Sequence, residues 1–143
     1  MSWANPIQKI TVKTTQRSEL LDITAQVQKL VRGTPTEAGF VIVYVPHTTA
    51  GVTIQENADP DVKSDLLAKL EALIPKSESY YRHAEGNSDS HLKTALTGNS
   101  VMVLVQGQAL VLGQWQGIYL AEFDGPRQRE VLVKIIGGSV RNG

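Results

Sequence analysis

With 143 residues and 41% apolar content, the chain predicts one soluble globular domain, large enough for a real core and too small for two. Lysine plus arginine and aspartate plus glutamate both number 14, so no net field draws in nucleic acid or an anionic membrane surface. Cysteine is absent, which excludes a disulfide framework, a thiolate nucleophile and a Cys-type zinc site; any metal would be held by imidazole and oxygen.

Ile7 to Thr14 alternates apolar and polar side chains, the period of a half-buried strand. Gln16 to Glu19 is turn-like, and Leu20 to Ile23 predicts a short second strand. Thr24 is the expected N-cap of a helix that carries Ile23, Val27, Leu30 and Val31 at helical spacing and stops at Gly33. Phe40 to Val45, β-branched and aromatic with no polar face, predicts a central strand ending at Pro46.

From His47 to Asp61 the chain turns densely polar: a histidine, the hydroxyls of Thr48, Thr49 and Thr53, then Glu56, Asn57, Asp59 and Asp61. A run from buried strand into such chemistry describes a pocket wall, and equally an ordinary loop followed by an amphipathic strand and a capped helix. Two further polar clusters, His83 to His91 and Gly113 to Arg129, favour the pocket. Asp59 caps a helix with Pro60 at its first position and an apolar stripe of Val62, Leu66, Leu70, Leu73 and Ile74. Lys76 to Ser90 is a long loop, a length that is usually functional or disordered. Ser88 or Asp89 then caps a short helix through Leu92, Ala95 and Leu96 to Gly98. From Ser100 the pattern is strand: Val101 to Val105 and Leu110 to Leu112 about a turn at Gln106-Gly107-Gln108, Trp115 to Phe123, a turn at Asp124-Gly125-Pro126, and Val131 to Ile136. Seven or eight strands with about three short helices give an α+β domain over 1–143, largely an antiparallel sheet or barrel. No apolar run approaches the roughly 20 residues of a membrane span, and the amino terminus lacks a signal-peptide layout, so a cytoplasmic location is expected.

The three histidines, His47, His83 and His91, all lie in polar, turn-rich surroundings. Imidazole is suited to acid–base work near neutrality and is the commonest metal ligand. With carboxylates at Glu56, Glu85 and Asp89, a divalent cation, zinc or magnesium, has sufficient ligands, although the spacing matches no local zinc signature. A solvated surface histidine is the plain alternative for each. Thr48 and Thr49 with Gly51 have the makings of an anion-binding turn or of a strand crossover. Arg127 and Arg129 are placed to grip a phosphate, or to pair with Glu122 and Asp124. Trp115, between Gln114 and Gln116, suits either stacking on a flat ring or core packing.

His47-Thr48-Thr49-Ala50-Gly51 with Glu56-Asn57-Ala58-Asp59-Pro60, His91-Leu92-Lys93, Leu112-Gly113-Gln114-Trp115-Gln116 and Asp124-Gly125-Pro126-Arg127 together resemble the motif set of the YjbQ family, often called secondary thiamine-phosphate synthase enzymes. Two departures stand out: Gln114 where the family usually has threonine, and Ser88-Asp89-Ser90 where small apolar residues are common. The resemblance implies a β-sandwich or distorted barrel, a homotrimer, and weak coupling of a pyrimidine diphosphate to a thiazole phosphate with release of pyrophosphate.

Three readings follow. In the first, a metal-assisted enzyme of phosphate-bearing small molecules uses His47, His83, His91 and Glu56 in catalysis or as ligands. Thr48, Thr49, Asn57, Trp115, Gln116, Arg127 and Arg129 then hold the substrate. In the second, the same residues form a non-catalytic metal- or small-ligand-binding trimer. In the third, a structural partner-binding module scatters them. The first two expect the three histidines to converge on one pocket near Glu56 or Asn57, within one chain or across two.

Overall fold

The computed structural model describes residues 5–139. In chain order the elements are β1 (Gln8–Lys13), β2 (Glu19–Asp22), α1 (Thr24–Arg32), β3 (Ala38–Tyr44), β4 (Ala50–Glu56), α2 (Pro60–Leu73), α3 (Ser88–Thr97), β5 (Ser100–Gln106), β6 (Ala109–Leu110), β7 (Gln116–Glu122) and β8 (Gln128–Gly138). One sheet runs β1-β8-β3-β5-β6 and the other β2-β7-β4, and every pairing is antiparallel. This is the α+β architecture expected, with β3 in the middle of the larger sheet.

Strand alternation explains how the sheets face each other. Val41 and Val43, Val103 and Val105, and Val131, Val133 and Ile135 point inward from the large sheet, against Val52, Ile118 and Leu120 of the small one. Helix α1 spans the gap between β6 and β7 and adds Val27 and Val31 to the same core. Burying each such side chain contributes about 1.5–3 kcal/mol, so the inter-sheet layer dominates the apolar stabilisation. Between β5 and β6, Gly107 and Gln108 both take φ of 58°, as a two-residue hairpin turn requires.

Helix chemistry differs from the sequence reading at two places. Thr24 begins α1 without capping it: its hydroxyl accepts from Ile118 N at 2.8 Å, while Asp22 Oδ1 takes Thr24 N at 2.9 Å. Neither Ser88 nor Asp89 caps α3, whose N-cap is Asn87 with no side-chain bond to the helix. That helix is also turned over. Asp89, Ser90, Lys93 and Thr94 are buried, whereas Leu92 and Leu96 are exposed. Asp59 does cap α2, accepting from Asp61 N at 2.9 Å, with Pro60 at the first position. No residue of α2 is fully buried, so this helix is laid on the outside of the small sheet. Among the described residues no helix is long and apolar enough to cross a membrane.

Gly51, inside the polar stretch of the sequence, has a packing role. A Cβ there would lie 2.3 Å from the carbonyl oxygen of Gly98, where α3 ends, and that oxygen accepts from Val52 N at 3.1 Å. Backbone meets backbone, so no flexible side chain can give way. Gly51→Ala is expected to lower stability by about 1–3 kcal/mol, measured as a lower urea midpoint at unchanged slope.

Candidate functional site

The crossover from β3 to β4 carries His47, Thr48 and Thr49 over the open end of the sandwich. Asn99 fixes it, donating from Nδ2 to His47 O at 2.9 Å and Val45 O at 3.2 Å. The start of β8 supplies the opposite wall, Arg127 and Arg129. Together with Tyr44 these side chains line a polar cleft of about 570 Å³.

Arg129, only 2% exposed, is the deepest of them. Its Nε donates to Glu122 Oε1 at 2.9 Å, and its Nη2 donates to Glu122 Oε2, to Thr49 Oγ1 at 2.8 Å and to Thr49 O at 3.1 Å. Nη1 has no partner among the described residues. Glu122 is held in turn by the Thr14 hydroxyl at 2.8 Å and by the N–H groups of Phe123 and Asp124 at 3.0 and 3.1 Å. Arg127 is nearer solvent and pairs through Nη2 with Asp124 Oδ2 at 2.9 Å. Both arginines therefore line the cleft and carry a carboxylate behind them.

His47 Nε2 accepts from Glu130 N at 2.9 Å. Burial lowers its pKa first, and the nearby Arg129 guanidinium lowers it further. The ring is thereby held neutral with its proton on Nδ1. That leaves a donor for an anion, and Nε2 is not open to a metal ion.

His83 and His91 line a different cleft, of about 470 Å³, between the segment 74–87 and α3. Their rings meet edge to face with centroids 5.2 Å apart at 88°, and Glu85 Oε2 lies 3.6 Å from His83 Nε2. Tyr80 and Tyr81 complete the wall, themselves edge to face at 5.3 Å. Among the described residues no group of three His, Asp or Glu side chains is set to hold a metal ion.

Helix α3 is seated by charges that the sequence reading missed. Asp89, fully buried, takes both Arg17 Nη atoms, at 3.0 and 2.9 Å, and Lys93 Nζ at 3.0 Å. Lys93, 1% exposed, also reaches Glu71 of α2 at 2.6 Å. The Ser90 hydroxyl donates to Phe123 O at 2.6 Å. The only sequence signal was the i,i+4 spacing of Asp89 and Lys93, which normally marks a solvated face. The start of α3 is also tied to the turn behind Arg127: Asn87 Nδ2 donates at 2.8 Å to Asp124 Oδ2, the same oxygen that receives Arg127.

Glu56 and Trp115 form a third depression, of about 460 Å³, with Asp59. Trp115 is 56% exposed, which suits a stacking surface and is not core packing. Asn57 and Gln116 build the turn beside it: Asn57 Nδ2 donates to Gln116 O at 3.0 Å, and Gln116 Oε1 accepts from Gly113 N at 2.8 Å. One chain thus gathers His47, Thr48, Thr49, Arg127 and Arg129, and it separates them from the His83–His91 pair and from Glu56 with Trp115.

The sequence profile of the family described as "UPF0047 protein YjbQ-like" matches residues 8–138. UPF0047 protein MJ1081 of Methanocaldococcus jannaschii is 50% identical over 90% of this chain and 93% of its own. UPF0047 protein YugU of Bacillus subtilis is 45% identical over 92% and 99%. A crystal structure of a YjbQ/UPF0047 family protein from Clostridium acetobutylicum superposes with a TM-score of 0.88 at 47% identity, covering 90% of this chain and 99% of that one. A YbjQ-like protein of Sulfolobus solfataricus gives 0.88 at 32% identity, covering 92% and 96%.

The Asp89 network makes a pH prediction. Burial alone would raise the carboxyl's pKa, but the hydrogen bonds from Arg17 and Lys93 outweigh it and bring it to about 2, from 3.8. A depressed carboxylate contributes stability above its unfolded pKa and loses it as pH falls toward the folded one. Urea denaturation between pH 5 and 2 should show a loss of about 2 kcal/mol from this group. Asp89→Asn should remove that part of the acid sensitivity while costing about 3–5 kcal/mol at neutral pH, because Arg17 and Lys93 lose their shared partner.

Proposed function

The chain belongs to the YjbQ-like UPF0047 family, and on that premise we propose that it is an enzyme of phosphate-bearing small molecules. The observation that carries this is the cleft where Arg127, Arg129, His47 Nδ1–H and the Thr48 and Thr49 hydroxyls meet. Guanidinium forks and hydroxyl donors suit phosphate oxygens in number and direction. The specific reaction proposed is thiamine-phosphate synthesis. The thiazole ring nitrogen bonds to the methylene carbon of the pyrimidine diphosphate, that carbon's bond to oxygen breaks, and pyrophosphate leaves with the electron pair. Cationic donors around the departing oxygens are what such a step needs.

A divalent ion fits this chain in part. Two imidazoles on one tetrahedral ion have ring centres about 5 Å apart, which is the separation of His83 and His91. Imidazole ligation favours zinc over magnesium. Further ligands would come from another copy of the chain, and only if that assembly set the pair against a neighbour's arginine cleft would the ion supply charge stabilisation to the leaving diphosphate. The second reading, a non-catalytic binding trimer, is favoured by the carboxylates already paired with both arginines, which temper the affinity of the cleft for anions.

Self-association as a homotrimer is part of the proposal. The outer face of the large sheet presents Tyr44, Met102 and Leu104, the last two 62% and 61% exposed, beside Ile42 and Phe40. A contiguous apolar face of this kind marks an interaction surface, and Tyr44 continues it into the arginine cleft. A second copy seated there would set its residues beside the bound phosphate.

Three experiments test these readings. Titration with inorganic pyrophosphate should show saturable binding, weakened about tenfold in Arg127→Ala by loss of one charge-assisted hydrogen bond. With both thiamine precursors present, wild type should release pyrophosphate. His91→Ala should lose that activity and at least tenfold of its bound zinc. Pyrophosphate binding without turnover supports the second reading, and neither binding nor turnover rejects both. Light scattering after size exclusion should return three chain masses for wild type and one for a Met102→Asp, Leu104→Asp variant.

A further inference from the structure

The small sheet's outer face is roofed loosely. Helix α2 crosses it and is tied near its two ends: Lys63 Nζ stands 5.5 Å over the Tyr119 ring, Glu71 meets Lys93 at 2.6 Å, and beyond the helix Tyr81 Oη donates to Pro75 O at 2.9 Å. Between those ties, Leu66 and Leu70 are only partly buried. With Leu20 and Ala121 of the floor, and Leu96 and Phe123 beside them, they line a half-open pocket of about 220 Å³.

An apolar space of about 150 Å³ lined by Leu, Ile and Phe is enough to accept benzene. This one has room for a second ring. Its remaining walls are Thr53, Gln55 and Thr97. Gln55 Oε1 is occupied by Glu56 N at 3.0 Å, so the amide's free group is its NH₂ donor. Neither threonine hydroxyl has a hydrogen bond among the described residues. No charged side chain lines the space.

We infer that this cavity is a second binding site, separate from the arginine cleft, for a small uncharged aromatic molecule bearing one hydrogen-bond acceptor. The leucines and Phe123 enclose its rings, and the Gln55 NH₂ or a threonine hydroxyl donates to its acceptor. The absence of lining charge means an anion would be desolvated there with no partner. The site therefore stands whether or not the arginine cleft binds phosphate.

Quinoline, two fused rings with one acceptor nitrogen, serves as the probe at neutral pH. In full-length protein carrying methyl-labelled leucines, it should cause saturable shifts at Leu20, Leu66, Leu70 and Leu96. Benzoate, of similar ring character but charged, should cause none. Leu70→Phe and Leu20→Phe fill the space from roof and floor, and should weaken quinoline binding at least tenfold with a melting temperature no lower than wild type. The pair guards against one variant failing to fold. Absence of saturable shifts at millimolar quinoline, shifts at other leucines, or undiminished binding in a folded filled variant overturns the inference.

Discussion

Arg129 and Glu122 face one another between the two sheets at the end where the apolar core stops. Taking two charges out of water costs several kcal/mol each, and their attraction offsets this only when the remaining donors and acceptors are also satisfied. Here they are: Thr14 at the end of β1, Thr49 on the crossover and the backbone of the β7–β8 turn all bond to the pair. Removing either partner strands the other, a loss of about 3–5 kcal/mol. The pair thereby fixes where the crossover sits relative to β8. The next residue along, Glu130, then has its N–H in place to orient the His47 ring. The geometry of the arginine cleft follows from that one buried contact.

A second buried charge cluster performs the corresponding task for the other cleft. Asp89, Lys93 and Arg17 seat α3, and α3 carries His91. The two clusters meet at Asp124, whose one oxygen serves both Asn87 at the start of α3 and Arg127 on the cleft wall. An anion that draws Arg127 away would leave Asn87 as the remaining side-chain partner of that oxygen. The clefts are thus mechanically adjacent although their histidines do not touch.

Much of the fold was legible because alternation is a direct record of which face is buried. β1 read correctly for that reason, β3 from an unbroken β-branched and aromatic run, and the α2 cap from Asp59 before Pro60. The span of α3 read correctly but its buried face did not, because its leucines look outward and that face holds Asp89, satisfied by Arg17, 72 residues away. No periodicity reveals a partner so distant. Thr24 misled similarly: a hydroxyl before an apolar helix usually caps it, but here β7 supplied a competing donor. The motif residues of the cleft were identifiable by type, and Arg127 and Arg129 take the pairing read for them with Asp124 and Glu122. Their separation from His83 and His91 depended on how a crossover and a long segment are draped, which composition does not encode. Asp89 and Ser90 became intelligible only as part of the α3 seating.

The strand order has a consequence for how the chain must assemble. β1 pairs with β8 from Gln8 against Val133 to Lys13 against Gln128, and β3 takes the other edge of β8. During synthesis β1 leaves the ribosome well over a hundred residues before its partner does. The β3–β5 pairing can form meanwhile, but the larger sheet has a gap between β1 and β3 until β8 arrives. Such long-range closure slows folding and leaves strand edges open to other chains while it waits. Nascent chains of this protein therefore spend most of their elongation with an incomplete sheet, a state in which chaperone occupancy should be at its highest.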